Sequence, residues 1–157
     1  MLRTKEPVAA TIPPDEDAGD IGEIRDIVGF HIRLAHGAVY RHFNETFGHL
    51  DLTQKQVAVL WLVDDNPDIA QAGLARRMRM DRATTMAIVN RLEGRGYLLR
   101  GRSASDRRKQ TLNLTDAGRE ALSVAKVAVR EHEHWLKQRY TPAEVETLVA
   151  LLTRLHS

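Results

Sequence analysis

Residues Leu74 to Gln110 read LARRMRMDRATTMAIVNRLEGRGYLLRGRSASDRRKQ, and this stretch decides the fold. Asp81 can cap a helix whose core face is Met86, Val89 and Leu92, and Gly94 and Gly96 end that helix. A short helix over about Ile69 to Arg77 precedes it, joined by a tight Met78-Arg79-Met80 connection. Tyr97 to Arg100 and Thr111 to Leu114 read as two strands around a polar tip from Gly101 to Gln110. The order is helix, turn, helix, hairpin. That is the plan of a winged helix, in which the second helix enters a major groove and the hairpin reaches the neighbouring backbone or minor groove.

Charge points the same way. Between Arg76 and Lys109 ten arginines and one lysine face only Asp81, Glu93 and Asp106, a net of +8 in a chain whose total is +2. The other 123 residues therefore carry −6. Such segregation is the electrostatic footprint of a surface for a polyanion, because neutralising phosphates releases condensed counterions. Most arginine runs are merely solvated surface; here the charge coincides with a helix-turn-helix pattern, so double-stranded DNA is the expected partner. At the groove-entering end, Arg82 can pair with guanine, Ala83 and the methyls of Thr84 and Thr85 can touch thymine, and the threonine hydroxyls can reach bases or phosphates. Asn90 and Arg91 lie two turns on and suit base edges or backbone. Arg76 on the first helix of the motif is counted among the DNA contacts. Arg102, Arg107, Arg108 and Lys109 form a cationic wing tip suited to phosphates or a narrow groove.

Working outward, residues 1–20 hold Pro7, Pro13, Pro14 and the acidic run Asp15-Glu16-Asp17 without apolar periodicity, and are expected to be a flexible tail. Ile21, Ile24, Val28, Ile32, Ala35, Val39 and Phe43 then recur at three and four, predicting one long helix to about Gly48. Thr53 and Gln56 form a capping box for a second helix that buries Val57, Leu60, Trp61 and Val63 and stops at Asn66-Pro67. Thr115 and Asp116 open a long helix to about Arg139. Thr141-Pro142-Ala143-Glu144 opens a final one carrying Val145, Leu148, Val149, Leu152 and Leu155. The expected fold is mainly α. Residues 51–115 form a winged helix-turn-helix with a two-stranded wing, and 21–50 with 116–157 form a helical dimerisation region.

Several function classes fall away. The chain has no cysteine, which removes disulfides, thiolate nucleophiles and cysteine-based zinc sites. It has no phosphate-cradling glycine loop, no G-x-S-x-G elbow and no H-E-x-x-H pair, so an enzyme is not expected. No cofactor is called for. No apolar run approaches the roughly 20 residues that span a bilayer, and no signal pattern opens the chain. A cytoplasmic protein with no membrane partner is expected. A winged helix that docks on protein instead of DNA is a further alternative, disfavoured by arginine on both recognition helix and wing.

The chain resembles the MarR family of winged-helix regulators over about Ile21 to Leu155. Asp106-Arg107-Arg108 followed by Leu112-Asn113-Leu114-Thr115-Asp116-Ala117-Gly118 is similar to the family's wing pattern of Asp, any residue, Arg, then a strand leading to Leu-Thr and a Gly. Leu74-Ala75-Arg76-Arg77 and Val89 to Leu98 resemble its two helix-turn-helix segments, with Gly73 a mild departure. The resemblance implies that Asp106 and Arg108 shape the wing, that Arg108 touches DNA, and that the recognition helix starts at Arg82. It also implies a homodimeric repressor on a pseudo-palindromic operator, with two recognition helices about one DNA turn apart. The apolar terminal helices suit such a dimer, although packing within one chain would also satisfy the last of them.

Family members commonly release DNA when an aromatic acid or related anion binds between the dimerisation helices and the DNA-binding lobe. His36, Tyr40 and Phe43, with His31 nearby and Trp61 from the second helix, suit a phenolic or carboxylate small-molecule effector; the same residues also suit a packed core. The stretch His31 to Phe47 (HIRLAHGAVYRHFNETF) resembles the branch that answers to hydroxycinnamoyl-CoA thioesters. Seven histidines raise a metal-responsive alternative. His132 and His134 point apart on a helix, whereas His42 and His49 could share a face. No metal site is expected.

Overall fold

The computed structural model describes residues 22–103, 106 and 108–157. It is mainly helical. In chain order it runs α1 (Val28–Phe47), α2 (Gln54–Asp65), β1 (Ile69–Ala70), α3 (Gln71–Met78), α4 (Arg82–Gly94), β2 (Leu98–Arg102), β3 (Gln110–Leu114), α5 (Asp116–Lys137) and α6 (Pro142–His156). The expected tail of residues 1–20 lies outside the described residues. The single long first helix is corrected: a 3-10 turn over Gly22–Asp26 is separate from α1, and a second over Gly48–Leu50 follows it.

Local signals set most helix ends. Thr53 and Gln56 exchange hydrogen bonds, Thr53 N–H donating to Gln56 Oε1 at 2.9 Å and Gln56 N–H to Thr53 Oγ1 at 3.3 Å. Thr141 and Glu144 repeat this capping box at α6, with proline in the first turn. Each box satisfies amides that a helix start would otherwise leave without partners.

The chain forms two compact units whose limits fall inside α1 and α5. One unit runs from Phe43 to Glu131. Its core takes Phe43 and Phe47 from α1, Leu60 and Val63 from α2, Leu74 from α3, Val89 and Leu92 from α4, Leu98, Leu112 and Leu114 from the sheet, and Leu122, Ala125 and Ala128 from α5. Phe43 and Phe47 stack with ring centres 3.9 Å apart. The ends of the long helices therefore belong to this unit, since their apolar residues complete its core.

Its sheet has three strands in the order β1-β3-β2, all antiparallel, where the sequence suggested two. Ile69, expected in a helix, instead pairs with Leu112, and Ala70 with Thr111. The cause is a clamp across 45 residues: Asn113 donates to Asp68 Oδ1 at 2.7 Å, and Asp68 N–H donates to Asn113 Oδ1 at 3.0 Å. Asp68 adopts φ +60 to do so, the left-handed region that Asp tolerates better than most residues.

The other unit holds the chain up to His42 and from His132 onward. Among its described residues only His132 is buried. Ile24, Ile27, Val28, Ile32, Leu34, Val149, Leu151, Leu152 and Leu155 are all exposed. His42 and His132 bring their Nδ1 atoms to 2.8 Å, and Trp135 stacks on His42 at 4.0 Å.

Candidate nucleic-acid interface

The α3–α4 junction is built by backbone and capping chemistry. Arg79 takes φ +50, and Met80 N–H donates to Ala75 O at 3.0 Å, which closes the end of α3. Two residues later Asp81 caps α4, accepting from Thr84 N–H at 2.8 Å and from the Thr84 hydroxyl at 2.6 Å. Those two bonds, the hydroxyl's first, hold the Asp81 carboxyl below its ordinary range. The helix thus starts at Arg82 with Arg82 and Ala83 exposed.

Two expectations on α4 are corrected. Thr85, proposed from the sequence as a DNA contact, is fully buried, and its hydroxyl donates to Asp81 O at 2.9 Å. Met86, expected in the core, is 47% exposed. The buried stripe is Thr85, Val89 and Leu92, spaced i, i+4, i+7, and the hydroxyl of Thr85 can be buried because it has a partner. Thr84 is half-buried with its hydroxyl engaged by the cap.

One groove of about 1300 Å³ gathers residues from three elements. Arg76 comes from α3, Arg82, Met86 and Asn90 from α4, and Arg100, Arg108 and Lys109 from the wing. Arg91, also on α4, is exposed but does not line it. Arg100, which sequence reasoning did not single out, donates to both Glu93 and Asn90. No local pattern marks that role, because its partners arrive from another element.

At the wing tip, Arg108 N–H donates to Asp106 Oδ1 at 3.0 Å and Lys109 N–H to Asp106 O at 2.9 Å, while Ser103 N–H donates to Lys109 O at 3.0 Å. Asp106 thereby holds the turn that presents Arg108 and Lys109, both exposed. Arg102 is exposed on β2, and Arg107 lies outside the described residues.

The residues expected to meet an effector are distributed differently. His36 and Tyr40 stack with ring centres 6.2 Å apart and both are exposed. His31 Nε2 sits 2.6 Å from Arg25 O. Phe43 is a core residue, 4% exposed. Trp61 is half-buried, with the Lys126 ammonium 4.8 Å above its ring. Among the described residues no cluster of three or more potential metal ligands occurs, and the imidazole that His42 meets is that of His132. No described helix is long and apolar enough to cross a membrane.

A capped recognition helix, a basic wing and a groove shared between them define a winged-helix DNA-binding protein. Residues 52–109 match the MarR family model. Over 92% of its length the chain is 32% identical to a putative transcriptional regulatory protein for the hcr operon of Thauera aromatica, covering 89% of that relative. The transcriptional repressor CouR bound to a 23-mer DNA duplex is 34% identical, with a TM-score of 0.81 over 87% of this chain and 96% of that one. The fold is also that of CouR from Rhodococcus jostii RHA1 bound to p-coumaroyl-CoA, 24% identical, with a TM-score of 0.78 over 85% of this chain and 94% of that one. The chain belongs to the MarR family of DNA-binding transcriptional regulators.

Proposed function

We propose that this regulator is a homodimeric repressor that leaves a pseudo-palindromic operator when a small aromatic acid or its CoA thioester binds. The observation that carries the DNA assignment is the single groove that collects Arg76, Arg82, Asn90, Arg108 and Lys109 from helix, recognition helix and wing. Arg82 and Ala83 address bases. Arg76, Arg91, Arg102, Arg107, Arg108 and Lys109 address phosphates or a narrow groove, where arginine is favoured. The site is intended for duplex DNA in the cytoplasm.

Dimerisation is supported by the exposed apolar side chains of the terminal unit. So many exposed large apolar side chains on α1 and α6 suit an interaction face, and a two-fold partner would place the second recognition helix for a palindrome. Equilibrium sedimentation should give twice the chain mass at micromolar concentration; a monomer would overturn the dimer.

The effector class is supported by the likeness of His31 to Phe47 to the hydroxycinnamoyl-CoA branch and by the exposed His36–Tyr40 stack. A ligand there acts only through differential affinity for the DNA-competent and incompetent arrangements. Fluorescence anisotropy on DNA from upstream of the chain's own gene, with aromatic acids and their CoA thioesters, tests the reading. Release by one such compound supports it. Tight binding untouched by every compound overturns the effector class while leaving DNA binding intact.

A further inference from the structure

The groove contains one long apolar side chain. Met86 stands 47% exposed on the recognition helix, in a lining whose other apolar residues are the small Ala70, Ala72 and Ala75 and whose other long side chains are arginine, lysine and amides. It is spaced four residues from both Arg82 and Asn90, so the three form one stripe along α4, and all three are exposed. The core face of the helix is filled by Thr85, Val89 and Leu92, which leaves Met86 no role there.

At the edges of base pairs the major groove offers one apolar feature, the C5 methyl of thymine. Elsewhere on this helix, Ala83 and Ala87 extend only one carbon, Thr85 is fully buried, Ile88 packs against the core, and Thr84 is half-buried with its hydroxyl held by the cap. Methionine is long, unbranched and polarisable, and can follow a methyl group whose position depends on DNA shape.

Resting on the DNA-binding assignment of this groove, we propose that Met86 is a specificity-determining residue that reads a thymine methyl group. On a helix lying in the major groove, side chains about three to four residues apart meet successive bases, so the thymine lies about one base pair from the pair addressed by Arg82.

The test uses the full chain and a duplex selected by it from a random pool. Each thymine in one half-site is replaced in turn by deoxyuridine, which removes only the methyl group, and binding is measured by anisotropy for the wild type and for Met86→Ala. One position should weaken the wild type about fourfold, the worth of one buried methyl-sized group, and leave Met86→Ala unaffected. The remaining thymines should behave alike in both proteins. A wild type indifferent to every replacement, or a variant as sensitive as the wild type, overturns the proposal while DNA binding stands. A pool that yields no preferred duplex removes sequence-specific binding itself, and the proposal with it. Thermal melting of Met86→Ala should match the wild type, because the side chain supports no core packing.

Discussion

A Cβ placed on Gly118 would lie 2.1 Å from the carbonyl oxygen of Tyr97, so the first turn of α5 touches the backbone leading into the wing. The same carbonyl accepts from Thr115 N–H at 3.1 Å. The Thr115 hydroxyl donates to Gly96 O at 2.6 Å and accepts from Gly118 N–H at 2.9 Å. The Leu-Thr and Gly of the wing pattern thus form one joint between wing and helix.

Gly118→Ala should therefore damage the fold, since the obstructing atom is backbone and cannot rotate away. Overpacking of this kind costs about 1–3 kcal/mol or more. Urea unfolding should show the loss, and DNA affinity should fall with it. Stability within a few tenths of a kcal/mol of the wild type would mean that the joint opens easily.

Asn90 is committed by its neighbour. Arg100 can only donate, so Asn90 must present Oδ1 to it, leaving the amide NH2 as the group that remains for DNA. Asn90→Asp should strengthen the contact with Arg100 yet remove that donor and add a negative charge to the groove. The expected result is unchanged or higher thermal stability with DNA affinity down about tenfold, within the range of a lost base contact. Equal affinity would show that Asn90 stays clear of DNA.

Arg82 and Arg108 should separate by salt and sequence. Arg82→Ala is expected to reduce discrimination between operator and random duplex by about 1–3 kcal/mol. Arg108→Ala should weaken both duplexes together and lower the slope of log K against log salt by about one. Matching losses for both variants on both duplexes would overturn the assigned roles.

His132 predicts an acid limit to stability. Burial, then the neighbouring His42, pushes its imidazole below the ordinary histidine value. The unfolded chain therefore takes up this proton at higher pH than the folded one. The contribution is complete above about pH 6.5, the unfolded value, and declines as pH falls towards the folded value. Chemical denaturation from pH 8 to 5 should show this decline, and His132→Gln should flatten it. An identical profile in the variant would place the titration elsewhere.

What the linear chain determined by itself was the helix, turn, helix, hairpin order and the capped starts of α2, α4 and α6. Capping at Thr53–Gln56, Asp81 and Thr141–Glu144, and Gly96 after α4, act within about one helical turn, so each signal is complete in a few adjacent residues. The polyanion surface was equally legible, because ten arginines in one stretch need no tertiary information. Tertiary structure decided which side of α4 faces inward. Hydropathy favours Met86 over Thr85 for the core, yet the two sit about 100° apart on the helix, and packing chose the stripe through Thr85, Val89 and Leu92 once Asp81 O satisfied the buried hydroxyl. The third strand likewise depended on Asp68 meeting Asn113, and the place of Arg100 on Glu93 and Asn90, partners that adjacency in sequence does not bring together.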